Sequence, residues 1–473
     1  MNLINKTSRL QNLPPYLSQN LTRVVAVLIN LILLLTTCTS VAQTDEDDDL
    51  LIMMPPMLAA AKNQSNSPTS PSLCQGFDVN DRRNRPMQAM SRPEPGASYT
   101  DAAFGGKITR ISNSAGLPSG IIRTLYSTIQ SWNSDESLMI LWHRGQGHYL
   151  YDGTSYQLIG ALAITPSDIE QIFWSTSNPN LFYYPNKAIG QTVATEQGGY
   201  RLQGNELMSY NVSTEQYQVI KDFNANCPSS QVTGGNDVQM ISYDDDVFGF
   251  RCGDNGFSYR QSSDTITSLP SSANSLAPQA FPSGGKFFHN GFILNQQLQT
   301  LRRLDLGNAS EHSSLGRLHN GNDAYFAIAF DPNQNNSCGD GIGSVVVHDA
   351  NDASCRVLVG PSNDYPYSLS GTHISALATQ RPGWAVVSSV GYGIEGDSLL
   401  EQELYLVNTD PAKPEVCRIA HHRSTGRRGS IGYFAEPHPV LSPSGTRVLF
   451  NSDWNNSGSV DAYVLELDSH KAN

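Results

Sequence analysis

Charged residues make up only 15% of this 473-residue chain, and no apolar run in it is long enough to span a membrane comfortably as a helix. So few charges exclude a coiled coil and an acidic disordered chain, and the missing long runs exclude a helical membrane bundle. Lys and Arg number 30 against 43 Asp and Glu. That balance argues against nucleic acid as a partner, because phosphate backbones demand fields of positive charge. It leaves room for another polyanion in a locally basic groove. Helical patterning is missing too: no run of twelve or more residues carries a 3.6-residue apolar period. Nor is there a nucleophile elbow, a zinc-protease helix, a phosphate loop or a dinucleotide fingerprint, so a Ser or Cys hydrolase is unsupported.

What the chain does have is Gly, Pro, Tyr, Val, Ser and Thr, which favour short strands and turns. Residues 1–42 contain Lys6, Arg9 and Arg23 and no acid, and 24–35 are apolar except for Asn30. This pattern predicts a signal peptide. Ser40-Val41-Ala42 offers an ordinary cleavage site and a secreted or periplasmic product. Leu35-Thr36-Thr37-Cys38 offers instead a lipoprotein box, in which Cys38 would anchor the protein to the outer membrane. Removing the leader moves the net charge from −13 to near −16. Residues 43–73, acidic at 45–49 and rich in Ser, Asn and Pro at 63–72, read as a disordered tether. Residues 74–473 are expected to form one catalytic domain, and the protein is expected to be a monomer.

Within that domain, short β-like runs alternate with turn residues, at 138–143, 148–151, 247–252, 324–330, 344–348, 384–389, 403–408, 447–451 and 462–467. The segment from Pro437 to Trp454, with the strand at 461–467, makes most of one propeller blade. Blades take about 40–50 residues, so the fold class is all-β, a β-propeller of seven blades.

Cys74, Cys227, Cys252, Cys338, Cys355 and Cys417 remain after the leader is removed. An even count in an exported chain suggests disulfides, with Cys227–Cys252 the simplest pair and Cys338–Cys355 a second. The competing reading is a structural divalent metal, zinc first and calcium second, bound by Cys338, Cys355, His312 and His421. Asp331-x-Asn333-x-Asn335 resembles the start of a calcium loop but lacks its Gly and distal Glu.

His143 and His148 flank the turn Arg144-Gly145-Gln146-Gly147. Tyr243 ends one strand-like run and Arg260 another, seventeen residues later. A His, a Tyr and an Arg suit β-elimination on a uronic-acid polysaccharide. The Arg neutralises the carboxylate, which acidifies the C5 proton, and the His and Tyr move protons while the C4 oxygen leaves. Asp244-Asp245-Asp246 is the one cluster that could serve a hydrolase, and a solvated turn is the preferable reading of it.

The segments His373-Ile374-Ser375, Arg381 to Ser388, Cys417 to His422 and Pro437 to Trp454 resemble the C-terminal blades of propeller polysaccharide lyases. The ulvan lyases of polysaccharide lyase family twenty-four are the nearer likeness, and the oligogalacturonate lyases are more distant. The resemblance implies a catalytic trio of His148, Tyr243 and Arg260, with His143 as the alternative histidine; a lyase of this kind is expected to bind its anionic polysaccharide, ulvan, through His143, Arg144 and Arg317. The resemblance also implies a metal held by Cys and His in the later blades. On the oligogalacturonate-lyase pattern, His312, His421 and His438 would instead hold a catalytic metal. A non-catalytic cell-envelope propeller that binds sugar or protein is the alternative from another class.

Overall fold

Short strands separated by Gly, Asn and Asp can satisfy their backbone groups by pairing with the next run along the chain. The computed structural model shows that local pairing repeated around a ring. It describes residues 71–467, apart from 188–191, 195–199, 203, 229, 236–239, 271–275, 305–311, 330–337, 339, 366–370, 391, 392 and 394. The expected leader, nearly all of the expected tether and the Asp331 loop lie outside the described residues.

Among the described residues there are seven antiparallel blades. Six have four strands, as in the first, Ile122–Arg123, Leu138–His143, Gly147–Asp152 and Leu158–Ala161, ordered from the channel outward. The seventh takes Val440–Leu441, Arg447–Ser452 and Asp461–Glu466 from the end of the chain. Lys107–Arg110 and Ser98–Thr100, from its beginning, complete that blade. The sheet that ends the ring is therefore also the sheet that starts it.

Burial follows radial position. The second strands Asp323–Ile328, Trp384–Ser389 and Arg447–Ser452 are buried at every residue, since neighbouring blades cover both faces, whereas the outermost strand Gln216–Asp222 is largely exposed. In the first three blades the innermost strand is interrupted. Ile122 pairs with His143 but Trp132 with Met139, and comparable insertions separate Pro166 from Phe173 and Val232 from Ile241. These insertions carry Tyr126 and Glu170.

Asp461 fastens the closing blade. Its fully buried carboxylate accepts from Arg92, Arg110, Ser112 Oγ and the Ser114 amide, all supplied by the N-terminal segment. Disulfides Cys74–Cys417, Cys227–Cys252 and Cys338–Cys355 add covalent ties, and the first spans 343 residues against 25 for the second. Loop entropy makes the wider tie the stronger one. Replacing Cys74 and Cys417 with Ala is expected to lower unfolding free energy by roughly 2 kcal/mol more than replacing Cys227 and Cys252. Urea denaturation of the two double variants checks this, and equal losses would refute it.

Candidate metal centre

Because every blade repeats the same up-and-down order, all innermost strands begin at one rim of the channel, here called the leading rim. They end at the opposite, trailing rim. Residues that open these strands meet at the leading rim however far apart they lie in sequence. His312 opens the innermost strand of the fifth blade, His312–Arg317. His373 lies in that of the sixth, Gly371–Ser375, and His438 stands two residues before that of the seventh. Glu436 ends the short helical turn Gly432–Ala435 that leads into the last blade. His438, between two prolines, adopts φ +39°, a left-handed backbone rare for histidine and costly to hold.

The rings of His312 and His373 stack at 4.6 Å between centroids, and those of His373 and His438 lie 3.9 Å apart. Glu436 Oε2 is 3.7 Å from His373 Nε2 and 3.8 Å from His438 Nε2, beyond hydrogen-bonding distance. One ligand atom from each of His373, Glu436 and His438 falls within 4.8 Å of the others. All three residues are buried, and both nitrogens of each imidazole and Glu436 Oε2 have no hydrogen-bond partner. Leaving a buried polar atom unpaired costs about 1–3 kcal/mol, so five in one pocket mark a place that would accept a further partner. Two imidazoles and a carboxylate suit a divalent transition metal.

The electrostatics agree. Burial pushes His373 and His438 well below the ordinary histidine value, and the neighbouring imidazoles, Arg123 and Arg427 push the same way. Both are thus neutral at pH 7, the form in which an imidazole can ligate a metal. Burial raises the Glu436 carboxyl, and Arg427 opposes that rise through a 2.7 Å contact from Nε to Oε1. His312 is half-buried, and its Nδ1 must donate to the Thr372 carbonyl, which can only accept. In the neutral ring the lone pair is therefore on Nε2.

Around this cluster, Tyr126 meets His373 and His438 at 5.4 and 4.8 Å, and Tyr433 meets His438 at 5.2 Å. The buried Arg123 guanidinium lies 5.2 Å from the Tyr433 ring and 5.8 Å from that of Phe434. It donates to the carbonyls of Thr124 and Leu125. Arg427 has a side chain 68% exposed at the opening.

The structure does not bring His148, Tyr243 and Arg260 together. His148 begins a third strand and lies at the leading rim. Tyr243 follows a first strand and Arg260 ends a third, which puts both at the trailing rim. His148 is buried and its Nε2 bonds the Ile169 carbonyl. Arg260 is taken by Asp246 and the Gly284 carbonyl. The cation over the Tyr243 ring is Arg317, at 5.4 Å. Arg317 ends the strand that His312 opens, and five steps of about 3.3 Å set it roughly 17 Å from the cluster. His143 bonds the Tyr151 hydroxyl, and Arg144 covers the Phe434 ring at 4.3 Å.

The zinc set needs correction as well. Cys338 and Cys355 are bonded to each other, so neither offers a thiolate. His421 ends the outermost strand of the sixth blade, against Asp101 and Phe104, at the far radial end from His312. Sequence reasoning had placed His312 and His438 near a metal but passed over His373 and Glu436. The sequence Glu436-Pro437-His438-Pro439 was the available signal, because it holds a carboxylate and an imidazole two residues apart.

No protein-family description matches the chain, and no curated protein matches it in sequence. Solved structures do match. An oligogalacturonate lyase in complex with manganese is 14% identical with a TM-score of 0.52, and an oligogalacturonate lyase from Vibrio parahaemolyticus is 14% identical with a TM-score of 0.53. Each alignment covers 78% of this chain and 96% of the other. At this identity the likeness establishes a shared fold.

Buried neutral histidines make stability depend on pH. Burial lowers His422 to about 3 and His143 to about 4. His422 Nδ1 accepts from the Ser424 amide and its Nε2 donates to the Ser389 carbonyl, an arrangement that only the neutral ring can make. As pH falls below about 6.5 the unfolded chain binds protons that the folded one refuses, so stability drops. Each of these histidines should remove about 2 kcal/mol between pH 6.5 and 5. Urea midpoints at the two pH values measure the loss, and His422→Gln should reduce it.

Proposed function

We propose that this protein is a metal-dependent lyase that cleaves a uronate-containing saccharide by β-elimination. The supporting observation is the convergence of unpaired His373, Glu436 and His438 donors at the channel mouth of a propeller shared with oligogalacturonate lyases. His373, Glu436 and His438 would hold the ion, and manganese is the first candidate because one of those lyases was solved with it. A divalent ion bound there supplies Lewis-acid charge that acidifies the proton next to a uronate carboxylate.

The chain's own residues account for the remaining requirements. Arg427, held by Glu436 through Nε, directs its remaining guanidinium donors to the opening, where they would pair with the carboxylate. His312, oriented by the Thr372 carbonyl, would take the C5 proton on Nε2. The C5–H electron pair becomes the C4–C5 double bond, the C4–O bond breaks, and water at the open side protonates the departing oxygen. Tyr126 and Tyr433 pack the imidazoles in place and limit water beneath them. The substrate would be a galacturonate-type saccharide or the glucuronate and iduronate of ulvan. Disulfides favour an oxidising compartment, so we place the protein outside the cytoplasm, attached to a membrane only through Cys38 if that cysteine is lipidated.

Absorbance of the unsaturated uronate should rise when the manganese-loaded protein meets polygalacturonate or ulvan, and a chelator should stop it. His438→Ala should lose both bound metal and activity. His312→Gln should keep the metal and lose about 10²–10⁴ in kcat. If polygalacturonate, ulvan and alginate all fail to give product, the lyase reading is wrong.

A further inference from the structure

A cleft of about 630 Å³ runs between the seventh blade and the first. It is lined by Asn113, His143, Gln146, Tyr149, Tyr151 and Tyr156, among others, and holds no Asp or Glu among its described lining residues. Its size lies within the range of ligand-binding clefts. The half-exposed Tyr149 ring stacks on His143 at 3.9 Å and 14°, and His143 is fixed in turn by the Tyr151 hydroxyl at 2.7 Å. This makes a rigid aromatic plate, with the exposed amide of Gln146 beside it, 3.4 Å from the Tyr149 hydroxyl.

The plate connects to the metal centre. The hairpin that carries Gln146 also carries Arg144, whose exposed guanidinium covers Phe434. Phe434 adjoins Tyr433 at 5.8 Å, and Tyr433 touches His438. A strip of cation, rings and amide thus leads along the leading rim from Arg427, past Tyr433, Phe434 and Arg144, to Gln146 and Tyr149. Rings suit sugar faces, amides suit hydroxyls, and arginines suit carboxylates.

We propose that the cleft between the seventh and first blades is a distal subsite for an anionic polysaccharide chain whose cleaved bond lies at the metal centre. The inference rests on the lyase reading and adds that the substrate is a polymer gripped several sugars away from the break. Binding can be read without turnover, by affinity electrophoresis of the full chain with chelator present, in gels containing polygalacturonate or ulvan. Retardation by either polymer is expected, with the apparent dissociation constant raised about tenfold by Tyr149→Ala, the effect of losing one ring contact, and by Gln146→Ala. Tyr149→Phe should keep most of the retardation. Gln146 lies in an exposed turn, so its variant keeps the test readable if Tyr149→Ala fails to fold. No retardation, or retardation unchanged in the folded variants, overturns the subsite. Product formation from short uronate oligomers separately decides the lyase reading, so either idea can fail without the other.

Discussion

A single buried carboxylate, that of Asp461, anchors the seam at which the ring closes. It lies on the last strand of the chain, and its partners, Arg92, Arg110, Ser112 and Ser114, all belong to the segment that precedes the first blade. Two arginines and two further donors compensate the desolvation of the charge. Every blade depends on that closure, because a ring of sheets with one open seam would expose a long unpaired edge. The channel mouth depends on it most directly, since His438 and Glu436 belong to the closing blade while His312 and His373 belong to its two predecessors.

Ring geometry also explains how a pocket so short of hydrogen bonds can exist. Each imidazole sits on or just ahead of an innermost strand whose position is fixed by the packing of its whole blade. The backbones that carry the rings cannot move apart without moving those strands. Proline on both sides of His438 narrows its options further, and its left-handed backbone is held by that packing. The protein keeps His373, Glu436 and His438 close together in a layout that could hold an ion.

Much of the architecture was legible from local pattern. The strands at 138–143, 247–252, 384–389 and 403–408 occupy the expected residues, because short apolar and aromatic runs bounded by turn residues pair with their neighbours. The seven blades and the Cys227–Cys252 bond follow from the same short-range logic. The site was harder to read, for a geometric reason. Spacing along a blade says how many residues separate two side chains, whereas the rim on which each emerges depends on counting strands. Tyr243 and Arg260 fall on one rim and His148 on the other, so a plausible trio was split. His421 failed on the radial axis, since a fourth strand lies far from the channel. His373 and Glu436 look ordinary in sequence and gain their meaning only when the ring closes.

The seam has a consequence for biosynthesis. Lys107–Arg110 is made before any blade, yet its partner strand in the closing blade, Asp461–Glu466, is made last. Ser98–Thr100 can pair with Lys107–Arg110 at once, but the other edge of that strand must stay open while the intervening chain emerges, and Cys74 must wait equally long for Cys417. If the chain is exported, threading it unfolded through a membrane suits this order, because the two ends can meet only once the whole chain has arrived on one side.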